Sequence, residues 1–287
     1  MKFDKRRLEP VLDQMLVHAV NQLPADVLSA IKEAHARETV DIAKKQLEAI
    51  LNSASLSDQL QIPLCQDTGL VTLFISGDLI NHRADIEKGL VKALKKITGR
   101  GAMRPNVVHP LTRKNTESNT GLHQPEVLVD TSTQKTAMKM ILKGAGSENF
   151  TNLRMMMPTS TKQDMFKHIL HVVIDAGGKT CPPNILGIGI GGSAIQSLLN
   201  SKIALLRPIG IRNPDQQIAE LETALLKGVN ELGIGTMGLG GDTTALDVHI
   251  EMAGTHTACL PIAISFGCWA NRVAVAELRG EKFKIVR

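Results

Sequence analysis

The chain has 287 residues, and 43% of them are hydrophobic. That is enough for one large domain or two modest ones with a real core, and it excludes a disordered chain. The net charge is +5, but the basic residues are scattered, Tyr is absent and Trp occurs once. Nucleic-acid binding by basic tracts and stacking platforms is therefore a poor reading. A mild positive excess suits a small dianionic substrate without identifying one.

The start, MKFDKRRLEP, is charged and no apolar segment follows it. We read no secretory signal and a cytoplasmic location. The longest apolar stretches are only strand-length, so no membrane span is expected. The first fifty or so residues are helical in pattern. Pro24 sits at a helix start with Asp26 in the first turn. Val40, Ala43, Leu47, Ile50 and Leu51 repeat at helical spacing, and Ser53 to Ser57 is expected to break that pattern.

PLCQDTG follows, then LVTLFIS, a β-like run ended by Gly77 and Asp78. Ile86 to Ile97 reads as an amphipathic helix. Gly99 to Gln124 is rich in Gly, Pro, Asn and Thr and reads as a long loop, which in a compact domain is usually functional or disordered. Val127–Val129 and Ala137–Leu142 flank the polar turn Thr131–Lys135 and read as a hairpin. KGAGSEN is a glycine-rich turn. A helix marked by Met165, Phe166, Ile169, Leu170 and Val173 stops at Gly177-Gly178.

CPPNILGIGIGGSA reads as a loop, a short apolar strand, a glycine turn and a helix start. Ile218, Leu221, Leu225, Val229 and Leu232 give a helix closed by Gly233. GIGTMGLGGDTT precedes an apolar run at Ala245–Ile250, and LPIAIS leads into FGCWANR. Helices and strands alternate without a repeat. The expected fold is a mixed α/β domain over residues 1–287, with glycine-rich loops. Residues 1–57 form its mainly helical N-terminal part, which could pack as a separate layer.

The four cysteines are Cys65, Cys181, Cys259 and Cys268. No signal peptide and a large core argue against a disulfide framework, and there is no C-x-x-C pair. Four buried thiols are the plain alternative. Cys65, Cys181 and Cys268, however, all lie at element ends, where site residues tend to be displayed. Cys259 sits inside the apolar run ACLPIAIS and reads as core. Three thiolates in one pocket are one ligand short of the usual four for an iron–sulfur cluster. The unligated iron would be a Lewis acid with a free position, suited to adding or removing water next to a carboxylate.

Gly187, Gly189 and Gly192 match G-x-G-x-x-G, the form of a dinucleotide fingerprint. The acidic residue expected about twenty positions on falls instead in the basic, turn-rich LLRPIGIRNPD. Tight packing of a strand on a helix, or an anion cradle at the helix start, are the competing readings. Arg104, in AMRPNVVHP, could grip a carboxylate with two parallel hydrogen bonds, or could be an ordinary surface arginine. Arg207 and Arg212 have the same two readings, with solvated arginines favoured. Asp67 and Thr68 follow Cys65 closely and could be substrate contacts, or only a turn ending at Gly69. His256, in AGTHTAC, could be an acid–base group or merely polar. His249, in DVHIE, reads as structural.

In order, PLCQDTG, the RPN loop, KGAGSEN, TCPPNILGIGIGG, LRPIG, GLGGDTTALDVHIE and FGCWANR resemble the α-type half of class I fumarases and L(+)-tartrate dehydratases. The likeness runs from about Gln61 to Arg272. It implies a fumarase class I N-terminal-type domain holding a [4Fe-4S] cluster on Cys65, Cys181 and Cys268. One iron, not ligated by cysteine, would contact the substrate. It further implies substrate contacts at Gln66, Asp67, Arg104 and Gly144, Ala145 and Gly146, and catalytic roles for Asp67, Thr68 and His256. Cys259 is outside the ligand set.

The implied reaction is reversible hydration of fumarate to (S)-malate, a C4-dicarboxylate chemistry. L(+)-tartrate dehydration is the close alternative, although GSEN and GLGGDTT look more fumarase-like, and a mesaconate-like substrate is a further option. In the resembled family a second domain supplies further substrate-binding arginines. The chain stops at Arg287, so a separate β subunit and an α2β2 or larger assembly are expected. Two other classes of function compete: a dinucleotide-binding oxidoreductase using GIGIGG, and a non-catalytic binding subunit with structural cysteines.

Overall fold

The structure is a computed structural model that describes residues 8–287; residues 1–7 of the expected helical N-terminal part lie outside the described residues. In chain order the helices are α1 (Leu8–Asn21), α2 (Ala25–Arg37), α3 (Asp41–Leu60), α4 (Arg83–Gly99), α5 (Ala145–Glu148), α6 (Lys162–Ala176), α7 (Ala194–Ala204) and α8 (Gln216–Glu231). The strands are β1 (Leu70–Ser76), β2 (Glu126–Val129), β3 (Ala137–Lys143), β4 (Asn152–Met156), β5 (Asn184–Gly191), β6 (Ala245–Ala253), β7 (Leu260–Gly267), β8 (Arg272–Arg279) and β9 (Lys282–Ile285). The chain is thus of the mixed α/β class expected from its alternating patterns.

Two of the expected boundaries move. α3 runs straight through Ser53–Ser57 to Leu60. Serine disfavours helix interiors only by a few tenths of a kcal/mol. Here the Ser57 hydroxyl is buried and donates to the carbonyls of Asn21 and Ile62, and tertiary bonds of this kind outweigh that preference. Likewise the hairpin of Val127–Val129 with Ala137–Leu142 does not form. β1 lies between the two strands, parallel to β2 and antiparallel to β3. The connecting turn, in which Asp130 accepts from Ser132 and pairs with Lys139, is long enough to step across one strand.

The chain forms two compact units. The first holds the described residues up to Ala25, with Ser53–Ala145 and Ala270–Arg287. Its sheet has the order β2-β1-β3-β8-β9. Alternation puts Val71, Leu73 and Ile75 of β1 and Met138, Met140 and Leu142 of β3 on one face. They bury against Met15 and Leu16 of α1 and Leu90 and Leu94 of α4. α1 packs on α4, β3 and β8, so this first described helix is part of the unit's core.

The second unit holds Asp26–Asn52 and Gly146–Trp269. Its sheet has the order β4-β7-β5-β6, with β5 parallel to β6 and β7 antiparallel to both neighbours. Leu186, Ile188 and Ile190 of β5 pack with Ile169 and Val173 of α6 and Leu225 and Val229 of α8. The intervening Gly187 and Gly189 face α7 instead. A Cβ on Gly189 would stand 1.9 Å from the Ser197 carbonyl oxygen, and one on Gly187 2.1 Å from that of Ser201. Ser197, Ser201 and Ala204 are fully buried on the matching face of α7. Gly187 and Gly189 of GIGIGG therefore serve helix–strand packing, not the turn of a dinucleotide fingerprint.

The solvated reading of Arg207 and Arg212 is also overturned. Arg207 pairs with Glu222 and Glu251, and Arg212 with Asp247. Glu222 is fully buried and also accepts from the backbone N–H groups of Asn213 and Ile250. Burial pushes the Asp247 carboxyl up, but His249, the Gly210 N–H and Arg212 outweigh it and hold the group at about 2. His249 is fully buried and bonded to Asp247 and the Ala204 carbonyl, the structural role its strand position suggested. Paired charges explain why polar residues stand where the sequence suggested surface.

Candidate active site

In the first unit the PLCQDTG turn is tied down at each step. The Leu64 N–H donates to the Val20 carbonyl at 3.0 Å. Cys65 is half-buried, Gln66 exposed, Asp67 half-buried and Thr68 buried. Gly69 has φ +89, and a Cβ there would stand 2.9 Å from the carbonyl carbon of Leu142, so only glycine fits both the turn and the approach to β3. Asp67 Oδ1 accepts the Gly69 N–H at 3.0 Å, and Oδ2 accepts the Ala145 N–H at 2.6 Å. A Cβ on Gly144 would lie 3.3 Å from Asp67 Oδ2, so the end of β3 approaches Asp67 closely because it lacks a side chain. Asp67 is thus a carboxylate in fixed orientation, and it brings Gly144 and Ala145 beside the Cys65 turn.

Thr68 turns out to be a fastener. Its hydroxyl accepts the Arg104 N–H at 3.1 Å and the Asn106 side-chain amide at 3.1 Å, and donates to the Arg104 carbonyl at 3.3 Å. Asn119 repeats the grip, donating to the Arg104 carbonyl at 2.8 Å and accepting the Asn106 N–H at 2.7 Å. The backbone of the RPN loop is fixed, while Arg104 itself is exposed. A guanidinium presented this way can take a carboxylate with two parallel bonds.

Sequence reasoning missed Arg272. It is buried, donates from Nη1 to the Asp67 carbonyl at 2.5 Å, and has its Nη2 close to where Cβ atoms on Gly69 and Gly144 would stand. Its only sequence signal was its place as the last residue of FGCWANR.

In the second unit Cys181 and Cys268 are brought to the same end of the sheet. Buried Asn184, the first residue of β5, accepts from the Thr180 hydroxyl and donates to the carbonyls of Thr180 and of Gly267, the last residue of β7. The N–H of Trp269 then donates to the Cys181 carbonyl at 3.1 Å. Both thiols are half-buried and none of the four cysteines is in a disulfide. Gly146 adjoins this turn, since a Cβ on it would lie 3.0 Å from the Lys179 carbonyl oxygen. The Gly146 segment is held by an ion pair from Glu148 to Lys202 of α7 at 2.6 Å.

Cys259 is not the core residue its apolar surroundings suggested. It ends an exposed loop one position before β7 and is half-buried. His256 lies in that loop, exposed, with Nδ1 accepting the Ala258 N–H at 3.1 Å. β7 separates it from Cys268, and its eight residues span roughly 24 Å. This unit therefore does not bring His256 to Cys181 and Cys268.

Among the described residues, no group of three or more His, Cys, Asp or Glu is arranged to hold a single metal ion. A cluster makes a different demand, namely soft thiolates spaced around a body of several irons. Half-buried thiols at the ends of elements, two of them set beside one another by backbone bonds, are donors of that kind. No helix among the described residues is long and apolar enough to cross a membrane.

Residues 10–277 match the model of the family described as "Fumarate hydratase (Fumerase)". The chain belongs to this family. A protein of Methanocaldococcus jannaschii described as "Putative L(+)-tartrate dehydratase subunit alpha" is 41% identical over 283 residues, 95% of this chain and 98% of that protein. The "L(+)-tartrate dehydratase subunit alpha" of Escherichia coli (strain K12) is 31% identical over 254 residues, 88% of this chain and 84% of that one. That of Shigella boydii serotype 4 gives the same figures. The family is one of hydro-lyases, so the chain is of an enzyme class that breaks or forms a carbon–oxygen bond with water, and it is of the alpha type.

Proposed function

We propose that this chain is the α subunit of an iron–sulfur hydro-lyase that reversibly adds water to fumarate to give (S)-malate. It works with a separate β subunit, in an α2β2 assembly. The observation that carries the reading furthest is the bond from the Trp269 N–H to the Cys181 carbonyl, which sets two cysteines of widely separated motifs side by side. Cys65, Cys181 and Cys268 hold a [4Fe-4S] cluster as thiolates, and Cys259 does not. When bound, such a cluster supplies a Lewis-acidic iron with an open position.

The chain's own residues bind and orient the substrate. Arg104 takes a substrate carboxylate with its exposed guanidinium. Gln66 and the Gly144, Ala145 and Gly146 segment contact the substrate. A carboxylate has about four lone-pair sites; two on Asp67 accept N–H groups, and the others remain for the substrate. In the hydration direction the hydroxyl of water joins one alkene carbon and a proton joins the other, and Asp67 handles that proton. Thr68 acts through the RPN loop, and no step is assigned to His256.

The names of the relatives favour a second reading, in which L(+)-tartrate loses one water to give a keto acid. Both are tested with the chain purified without oxygen and combined with its β subunit. Loss of fumarate absorbance and formation of keto acid from tartrate are followed separately. Faster turnover of tartrate would replace the fumarate assignment, and turnover of neither would remove both.

A further inference from the structure

Cys181 occupies a backbone conformation that few residues other than glycine adopt, with φ +55 and ψ +62. Such conformations persist only where the surroundings over-determine them. Its N–H donates to the Gly178 carbonyl at 3.1 Å and its carbonyl accepts from Trp269. Two prolines follow, so the next polar handle on the chain is the Pro182 carbonyl. That carbonyl accepts the Met237 N–H at 2.8 Å. Met237 is itself left-handed, with φ +55.

The two turns touch through glycines. A Cβ on Gly178 would stand 2.9 Å from the Met237 carbonyl oxygen and 3.0 Å from the Gly238 Cα, and one on Gly238 would stand 2.6 Å from the Gly178 Cα. Neither turn is free to retreat. The Gly235 N–H is bonded to the Thr244 hydroxyl, the Gly240 N–H to the Ile234 carbonyl, and the Asp242 N–H to buried Glu38. On the other side, Gly146 abuts the Lys179 carbonyl.

We propose that the contact of Gly178 with Met237 and Gly238 is a clamp that fixes the direction in which the Cys181 thiol is presented. These three are positioning residues for that thiol. The use of the thiol as a cluster ligand rests on the proposed function; the clamp itself does not. The position of this contact, directly beside a left-handed cysteine, is what gives it this role.

The test uses the full chain without iron, comparing Gly178→Ala with Gly240→Ala. Gly178 does not have a positive φ, so alanine there offends only by contact. Gly240 has φ +85 but open space around its Cβ, so alanine there strains the same loop without touching the clamp. Iodoacetamide alkylation is timed at each cysteine by peptide mass spectrometry, with melting followed alongside. In Gly178→Ala the rate at Cys181 should change by about threefold or more, while Cys65 and Cys259 keep theirs. In Gly240→Ala all rates should hold.

An unchanged Cys181 in folded Gly178→Ala, or an equal change in Gly240→Ala, overturns the clamp. Hydrogen exchange of the unaltered chain tests it without a variant. The Met237 amide should be protected by about a hundredfold or more, and an unprotected amide also overturns the proposal. After anaerobic reconstitution and one-electron reduction with dithionite, the electron paramagnetic resonance spectrum of the cluster should differ between Gly178→Ala and the unaltered chain, and an identical spectrum counts against the clamp. If no cluster assembles on the unaltered chain, the ligand reading fails while alkylation and exchange still judge the clamp.

Discussion

Gly189→Ala tests the account of GIGIGG most sharply. The new methyl group would stand 1.9 Å from the Ser197 carbonyl oxygen and 2.8 Å from the Ser201 nitrogen. Ordinary contact begins near 3.4 Å, so α7 must withdraw from β5 by about 1.5 Å in a close-packed interior. Withdrawal stretches the bond from the Ser197 hydroxyl to the Gly189 carbonyl and the one between the Ser201 and Ser265 hydroxyls, both 2.9 Å. Each is worth about 1 kcal/mol, and the overpacking adds about 1–3 kcal/mol. The sum is a loss of roughly 3–5 kcal/mol, read from urea unfolding followed by circular dichroism. Gly99→Ala is the control, because it lies in α4 with nothing within 4 Å of its Cβ. It should be neutral or stabilising by up to about 1 kcal/mol. A Gly189→Ala chain within about 0.5 kcal/mol of the original would refute the packing argument. A rise in melting temperature on adding a nicotinamide dinucleotide would then revive the fingerprint reading.

Glu222→Ala should cost about 3–5 kcal/mol, because Arg207 loses its buried partner and two N–H groups lose their acceptor; a loss below about 1 kcal/mol would mean the network is ornamental. Asp247 links the same network to pH. Its folded value lies below its ordinary value of 3.8, at about 2, so its stabilisation is present above about pH 4 and is lost as pH falls toward 2. The amount is about 2 kcal/mol, and Asp247→Asn should flatten the acid limb of a stability–pH curve; an unchanged limb sinks the assignment. Arg272→Lys should leave the chain folded but lower kcat/KM of the assembled enzyme by about a hundredfold, since a displaced Asp67 turn misplaces the substrate. Unchanged kinetics would return Arg272 to a purely structural role.

Much of the fold was legible because single segments carry their own pattern. LVTLFIS and LPIAIS are apolar runs of strand length bounded by turn residues, and α6 ends at Gly177 as its sequence indicates. What failed depended on distant partners. The serines of α3 cannot announce that Asn21 will accept one of their hydroxyls. β2 and β3 look like neighbours until β1, some fifty residues earlier, comes between them. β4, with sequence NLRMM, lacks β-branched residues and owes its conformation to pairing with β7.

The candidate site divides the same way. Cys65, Cys181 and Cys268 stood out by position at element ends and by the resemblance of whole motifs. Arg272 did not, because a buried arginine that holds a backbone carbonyl reads in sequence like any other arginine. His256 stood out by residue type and by the resemblance, yet β7 separates it from Cys268.

Iron and acid-labile sulfide content, measured on protein purified and reconstituted without oxygen, tests the central claim most directly. The account predicts about four irons and four sulfides per chain, falling when Cys65, Cys181 or Cys268 is changed to Ser and holding in Cys259→Ser. No iron uptake, or a loss in Cys259→Ser equal to that of the other three, would contradict it.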